Sequence, residues 1–577
     1  MELPQELFFF IFSLLNHTDR TQCRLVCQQW QTYLDRSELL FETLSCRHKD
    51  QLDYAIQFFE NNKRLANKVK ALHIDMAASL SVDTLIRQIE LFPHMQHVEL
   101  YFDPTSILSS RKYVAPAEIS RYRPATITQS WSKLKSIAET STCMYTTSLL
   151  HTTQPFLHLN HLWLNFASVG NNCRSRASEY LITGLSNAPS LLFMYIMYGC
   201  FNTTQLDRLH YACSQLKELA MIKTAFIMLP TEQYVPFQTV SLGYQPIPAP
   251  SITKVVFSDA YLSHGVPLLE YMSHKYTGAI ELVCLQHSRD TMVRSNYTGD
   301  RDAVFAIART CQSLERFDTN LIRLTTDVML AFEPTKVNFD SLDAYPFTPN
   351  WLEQFDTFSN TRFRHTLRQC ELDYPTTKEL LSLARFTHLT EVTLIHDLAQ
   401  ETPVSLNKMI GQHQHLVKLC IMGFHVSVDC MDPIETHIKN LCILDAVFEG
   451  EDQDYNCPVL AFCSRLRLED LHLSGEIASV KVMPYLDLRQ HTQLSRVDVY
   501  FEACYYIQLI ENNTTKWLHI DLGSDSDDGT ERYELDHDPT IDNPDLWYMT
   551  VELNSFPGFY YSSSQPLFYE ESYSTYY

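Results

Sequence analysis

An α/β array of stacked strand-plus-helix units behind a small three-helix N-terminal bundle is the fold class this sequence predicts. Three observations predict it. At 577 residues the chain is too long for one compact core, so it is either several domains or one extended array. Short apolar triplets with a strand-like rhythm recur along most of its length, with polar stretches of helical character between them. Before them, the first 45 residues carry apolar side chains at helical spacing.

Composition narrows the function classes. Apolar residues make up 45% and charged residues 20%, which describes a folded chain rather than a disordered one. Only 14 residues are glycine, which argues against turn-rich sandwiches and against glycine phosphate loops. The formal net charge is −23, so nucleic acid and membrane surfaces, themselves anionic, are not expected partners. Much of that charge is local, because Arg532 is the lone base from Ser524 to the C-terminus. The 16 cysteines include no C-x-x-C pair; Cys23 and Cys27 are at helical spacing instead. Reduced thiols and a cytoplasmic or nuclear location are therefore expected. The run Leu7 to Leu15 imitates a signal-peptide core, but Glu2 and Glu6 precede it without any Lys or Arg. The sequons at Asn16, Asn202, Asn296, Asn512 and Asn513 are read as chance matches in an Asn/Thr-rich chain.

The N-terminal elements follow in order. Leu3-Pro4 suits a first helical turn, where the missing N–H of proline costs nothing. Leu7, Ile11, Leu14 and Leu15 continue one helical face, and Asn16-His17-Thr18-Asp19 breaks the pattern with capping side chains. A second helix is expected over about Arg20 to Trp30, with Cys23, Val26, Cys27 and Trp30 on one face. Leu34, Leu39, Leu40, Phe41 and Leu44 form a third apolar set. So small a bundle cannot bury these faces alone, and a partner or a following domain is implied.

The series Leu3-Pro4, Leu7, Ile11, Leu14-Leu15, Asp19, Cys23-Arg24, Val26-Cys27 and Trp30 resembles the F-box over residues 1–45, with Gln28 in place of the usual basic residue after the cysteine. The resemblance implies docking onto the Skp-type adaptor of an SCF-type, cullin-based ubiquitin ligase. Carried over by position, Leu3, Pro4, Leu7, Ile11, Leu14, Val26, Cys27 and Trp30 would be adaptor-binding or would support the interface. Some of them must instead form the core of the bundle, and spacing does not apportion them.

From Val69 the body repeats an L-x-x-L-x-L rhythm: Val69/Leu72/Ile74, Met95/Val98/Leu100, Leu159/Leu162/Leu164, Leu191/Met194/Ile196 and Leu216/Leu219/Met221. Leu389, Leu416, Ile438, Leu468 and Leu494 open five more triplets at separations of 22 to 30 residues. Polar helical stretches such as Thr376 to Phe386 fill the gaps. Each unit has one apolar face that it can bury only against its neighbours, so units stack. The period resembles an irregular leucine-rich-repeat solenoid, or horseshoe, over residues 46–553, of on the order of fifteen to eighteen units. Residues 103–155 are expected as an insertion, a surface loop followed by a helix around Trp131 to Leu150. An acidic loop is expected at about 523–545; its SDSDDG piece lacks the oxygen spacing and closing Glu of a calcium loop. One more strand (Leu546/Met549/Val551) follows, then a flexible Tyr/Ser-rich tail at 554–577.

No P-loop, G-x-S-x-G, H-E-x-x-H or dinucleotide glycine turn occurs. His413/His415 and His158/His161 lie beside strand-like segments without a third ligand, so no metal site, cofactor or catalytic residue is expected. The reading is a non-catalytic adaptor, its helices holding the ligase and its concave strand face holding an unknown target protein. Trp163, Tyr195, His472, Asp498 and His519 are the candidate target-binding residues, because each sits between buried strand positions. The alternative is a leucine-rich-repeat interaction scaffold that joins no ligase, its first helices being a cap.

Overall fold

The computed structural model describes residues 5–15, 17–37, 39–76, 82–102, 131–140, 144–151, 154–167, 169, 171–228, 242, 244–263, 266–287, 298–322, 324–344, 351–396, 403–430, 436–449, 457–478, 484–491, 493–501, 506–511, 514–521, 531–543, 546 and 548–553. Two compact units divide the chain: Met1–Ile322 with Pro334–Val337, and Arg323–Glu333 with Asn338–Tyr577.

In the first unit one parallel sheet takes its strands in chain order. They are β1 (Thr43–Cys46), β2 (Ala71–Met76), β3 (His97–Phe102), β4 (Ser136–Thr140), β5 (His161–Asn165), β6 (Phe193–Met197), then β8 (Glu218–Ile222), β10 (Lys254–Leu262), β11 (Glu281–Gln286) and β12 (Arg316–Thr319). The two-residue strands β7 (Cys200–Phe201) and β9 (Ala225–Phe226) lie off this path. Parallel neighbours require a crossover of a dozen or more residues, and helices such as Asn171–Gly184 and Thr203–Ala212 supply it.

Register turns the apolar triplets into a core. Leu72, Val98, Ile137, Leu162, Met194, Leu219, Val255, Leu282 and Phe317 pair strand to strand in one row, and all are buried. A second buried row, two residues on, runs from Ile74 through Leu100, Glu139, Leu164, Ile196, Met221, Phe257 and Cys284 to Thr319.

Glu139 corrects the expected insertion at 103–155. Residues 103–130 lie outside the described residues, but Trp131 and Leu134 are buried and β4 pairs in line between β3 and β5. The unit reads Leu134/Ile137/Glu139, with a carboxylate where its neighbours carry an aliphatic residue. That carboxylate accepts hydrogen bonds from the Thr146 and Tyr145 N–H groups at 2.7 and 3.2 Å, at the start of helix Met144–Leu150. It replaces apolar packing with capping of that helix. The helix itself is confined to seven residues and does not begin at Trp131.

A second constraint recurs just past the strands. Tyr198, Lys223, Asp259, Tyr374 and Asp445 adopt positive φ, as do Gly423 (φ 72°) and Gly475 (φ 145°). Each stands seven residues after the first apolar residue of its unit (Leu191 to Tyr198, Leu468 to Gly475). This left-handed residue turns the chain into a short second ladder, seen where β7 pairs β9 and β9 pairs the end of β10.

The second unit repeats the plan. Its main sheet orders β13 (Ser341–Ala344), β14 (Gln369–Asp373), β15 (Glu391–Ile395), β17 (Lys418–Met422), β19 (Asn440–Phe448), β20 (Asp470–Ile477) and β22 (Arg496–Phe501) in parallel. The short β16 (Pro403–Ser405) and β18 (His425–Ser427) build the second ladder against β19. The predicted helix near Thr376 spans Thr377–Leu383 and opens on a reciprocal Thr376/Glu379 capping box. A separate five-stranded sheet follows, in the order β21 (Tyr485–Asp487), β26 (Tyr548–Leu553), β23 (Tyr506–Glu511), β24 (Thr514–Asp521) and β25 (Glu531–Leu535). Here β23, β24 and β25 run antiparallel. Only residues 512 and 513 separate β23 from β24, too few for a parallel crossover. The stretch 522–530, which includes SDSDDG, and the tail 554–577 lie outside the described residues.

At the N-terminus, α1 (Gln5–Leu14), α2 (His17–Arg24) and α3 (Gln28–Ser37) form the bundle. The expected second helix over Arg20 to Trp30 is in fact broken after Arg24. Leu25 and Val26 make three-residue turns back to Gln22 and Cys23, and the Cys27 sulfur accepts the Trp30 N–H at 3.5 Å, so Trp30 belongs to α3. Arg20 fastens the bundle to the array. Its Nε donates to the Phe12 carbonyl at 2.7 Å, and its Nη1 meets the Glu42 carboxylate at 3.0 Å. Glu42, just before β1, also pairs Lys70, just before β2, at 2.6 Å.

Two predictions follow from these joints. A Cβ at Gly475 would sit 1.9 Å from the Ala446 carbonyl oxygen, so Gly475→Ala should cost more than the roughly 1–3 kcal/mol of a strained backbone position alone. Gly423→Ala should cost about 1–2 kcal/mol for its left-handed conformation. Thermal unfolding of the two variants should show the first melting lower. At Glu42, burial raises the carboxyl pKa, but hydrogen bonds and charge from Lys70 and Arg20 outweigh it and leave the group below its ordinary value of 4.5. A carboxyl lowered in the folded state stabilises fully above the unfolded value and loses that contribution as pH falls through the folded one. Protection factors for hydrogen exchange in residues 5–37 should therefore fall as pH drops below 4.5, and Glu42→Gln should already show reduced protection at pH 7.

Candidate functional site

The chain presents three surfaces on which function can be built: the bundle and the open face of each repeat sheet. In the bundle, α1 is apolar on both sides. Phe8 and Phe12 turn inward and, with Leu34, make a buried core. Leu15, Cys23, Trp30, Tyr33 and Leu40 pack around that core. Phe8 lies 5.1 Å from the Tyr33 ring and Phe12 lies 5.5 Å from Trp30, edge to face. The other side of α1 points outward, with Leu7 46%, Ile11 42% and Leu14 70% exposed, and Val26 beyond α2 is 63% exposed.

The fold thus apportions what spacing left open. Leu7, Ile11, Leu14, Val26 and Cys27 are exposed, whereas Trp30 supports the core. Leu3 and Pro4 lie outside the described residues. Phe10 and Leu25 extend the exposed apolar set, and sequence reasoning did not single them out. The Phe8/Phe12/Leu15 spacing of four and three residues was the available sign that α1 has a second, inward face.

On the open face of the first unit, His73, Glu99, Ala138, Trp163, Tyr195 and Ala220 succeed one another across β2 to β8. Trp163 and Tyr195 stack at 5.7 Å with ring planes 29° apart, and Tyr101 extends the run 6.4 Å from Trp163. One row over, His161 stacks on Phe193 at 4.4 Å. The alanines on either side keep the aromatic pair uncovered, leaving an opening of about 340 Å³. Two of the predicted target-binding residues therefore form one aromatic platform held on rigid strands.

In the second unit Cys420, Cys442, His472 and Asp498 stand side by side on β17, β19, β20 and β22. His472 is buried, its Nδ1 2.9 Å from Asp498 Oδ2, and Arg496 Nε donates to the same oxygen at 2.9 Å. A cleft of about 250 Å³ lies over this row. The thiol–imidazole–carboxylate order resembles a nucleophile row. The hydrogen bond between the two thiols sets them apart: that bond and then burial hold Cys442 well above the ordinary range, while the same bond lowers Cys420. Elsewhere burial pushes Cys46 to about 11 and Cys213 to about 12.

His519 is set apart from the other four predicted residues. It lies on β24 beside the Tyr506 ring at 4.8 Å, in the antiparallel sheet rather than on the parallel repeat face. Among the described residues, no cluster of His, Cys, Asp and Glu could hold a metal ion. Also among them, no helix is long and apolar enough to cross a membrane.

Residues 1–47 match the F-box-like family model. No curated protein matches the sequence. Among solved structures, an internalin from Listeria monocytogenes is similar at 9% identity and a TM-score of 0.30, over 68% of this chain and 94% of that one. A TLR13–ssRNA13 complex is similar at 10% identity and a TM-score of 0.26, over 76% and 72%. The N-terminal bundle is an F-box-like domain, and the body behind it is a leucine-rich-repeat-like stack of parallel strands and helices.

Proposed function

We propose that this chain is the substrate-recognition subunit of an SCF-type, cullin-based ubiquitin ligase. Its bundle would bind the Skp-type adaptor, and its repeat faces would bind a target protein. The observation that carries the reading is the two-sided apolarity of α1 within a domain that matches the F-box-like model. F-box domains generally bind Skp-type adaptors. A helix with a complete aromatic core on one side still leaves Leu7, Ile11 and Leu14 toward solvent on the other, as a groove-binding helix does.

On this reading the chain contributes no catalytic group. It acts in the cytoplasm or nucleus by bringing a target close to the catalytic subunits, and proximity alone accelerates a transfer reaction. Trp163 and Tyr195 are the side chains best suited to anchor the target, because stacked Trp and Tyr lose little conformational freedom on binding.

Pull-down of a purified Skp-type adaptor by the full-length protein tests the proposal. Binding is expected for the intact chain and for a Trp163→Ala/Tyr195→Ala variant. It should weaken at least about ten-fold in Leu7→Asp/Ile11→Asp, since buried apolar anchors are each worth about 2 kcal/mol or more. Circular dichroism should find both variants folded, because none of the four side chains is buried in a core. An intact chain that leaves the adaptor in solution would instead be a repeat scaffold with a helical cap.

A further inference from the structure

At the leading ends of the strands in the second unit, four histidines from four successive repeats converge. His365, His388, His415 and His437 line an open groove of about 790 Å³ together with Arg368 and Lys439. In the sequence they lie 22 to 27 residues apart, so only the repeat register assembles them. His388 and His415 stack with ring centroids 5.6 Å apart and planes 17° apart.

Among the described residues the lining holds no carboxylate, although the chain carries 68 acids against 45 bases. Two acids beside the groove are already engaged. Glu391 accepts from Gln369 Nε2 at 3.2 Å and lies 4.0 Å from Lys418, and Glu469 pairs with Lys439 at 2.6 Å. At this edge the guanidiniums of Arg364 and Arg368 have no carboxylate partner among the described residues. Arg364 Nε donates to His365 Nε2 at 2.8 Å, so that ring nitrogen is an acceptor and the proton of a neutral His365 sits on Nδ1.

We propose that this groove is a docking site for an extended, Asp/Glu-rich segment of a partner protein. Charge complementarity selects the class of ligand: the guanidiniums offer forked N–H donors and each imidazole at least one more. Shape selects an extended segment over a single oxyanion. Parallel strands about 4.8 Å apart spread the donors over roughly 15 Å, a strip that several carboxylates fill and one phosphate does not. Nucleic acid would bring a continuous negative backbone to a chain of net charge −23, which disfavours it against a short peptide of limited charge. The site lies in the second unit and is independent of whether the helical bundle joins a ligase.

Fluorescence anisotropy of the full-length protein with three labelled peptides tests it: one alternating Glu and Ser, its Gln-for-Glu counterpart, and one bearing a single phosphoserine among Gln and Ser. The glutamate peptide should bind, the glutamine peptide should not, and the affinity should fall as salt rises. Arg364→Glu/Arg368→Glu should weaken binding by about ten-fold or more, because like charges now face the ligand. His388→Ala/His415→Ala should weaken it several-fold. Unchanged melting temperature and unchanged adaptor pull-down show that these exposed or half-buried substitutions leave the protein folded. Three results would overturn the proposal: no binding of the glutamate peptide, binding indifferent to the charge reversal, or tighter binding of the phosphoserine peptide.

Discussion

Everything in the body of this protein depends on one constraint: a strand-plus-helix unit has an apolar face that it cannot bury except against the next unit. Strand register meets it. Residues at the first, fourth and sixth positions of a unit (Leu159, Leu162 and Leu164, for example) are buried, and in-register pairing joins them to the same positions of both neighbours. Because strand side chains alternate, the fifth position is forced to the opposite, open face. Trp163, Tyr195, His472 and Asp498 all occupy that fifth position, so the packing that makes the core also lays out the recognition surface. The left-handed residue two positions beyond the sixth ends the ladder and starts the second one, so the array needs backbone tolerance there as well as apolar side chains.

Much of this was legible from the triplets, and the parts that were not have physical reasons. The β4 unit was hidden because Glu139 fills its last core position, trading apolar packing for two hydrogen bonds to a helix start. The β11 and β12 units were obscured in a related way. The β11 unit opens on Ala279 and closes on Cys284, and the β12 unit closes on Thr319, residues small or polar enough to blur an apolar pattern although all three are buried. Thr319 is tolerated because its hydroxyl donates to the Cys284 carbonyl at 2.9 Å. The antiparallel turn that carries His519 out of the repeat plane was missed because His519 lies in a stretch whose alternation fits either strand direction. Nor could spacing within single segments show the histidine groove, since each of its members comes from a different repeat.

The bundle shows how far helical periodicity carries. A helix as apolar as α1 satisfies any periodic template, so inward and outward faces are decided only by what α2 and α3 bring to it. Trp30 and Tyr33 on α3 stand beside Phe8 and Phe12, and aromatic edge-to-face contacts of this kind favour one docking over a slipped one. Leu7, Ile11 and Leu14 are left outside as a consequence. A small aromatic core thus holds three short helices while leaving an apolar stripe of α1 uncovered.

The electrostatics point in the same direction as the packing. Basic groups tend to be spent in holding strand ends together: Lys70 on Glu42, Lys254 and Arg316 on Glu281, Lys439 on Glu469 and Lys418 beside Glu391. These pairs sit at or just before strand starts, one repeat apart, where partly exposed charges contribute little each but oppose register slips between neighbours. Arg364 and Arg368 depart from that pattern. They stand at the same edge, one beside a histidine and one in the histidine groove, with no carboxylate partner among the described residues. A strongly acidic chain that leaves this edge basic therefore offers a surface of opposite sign to the rest of itself, so a partner drawn there by charge is repelled from most other places on the molecule.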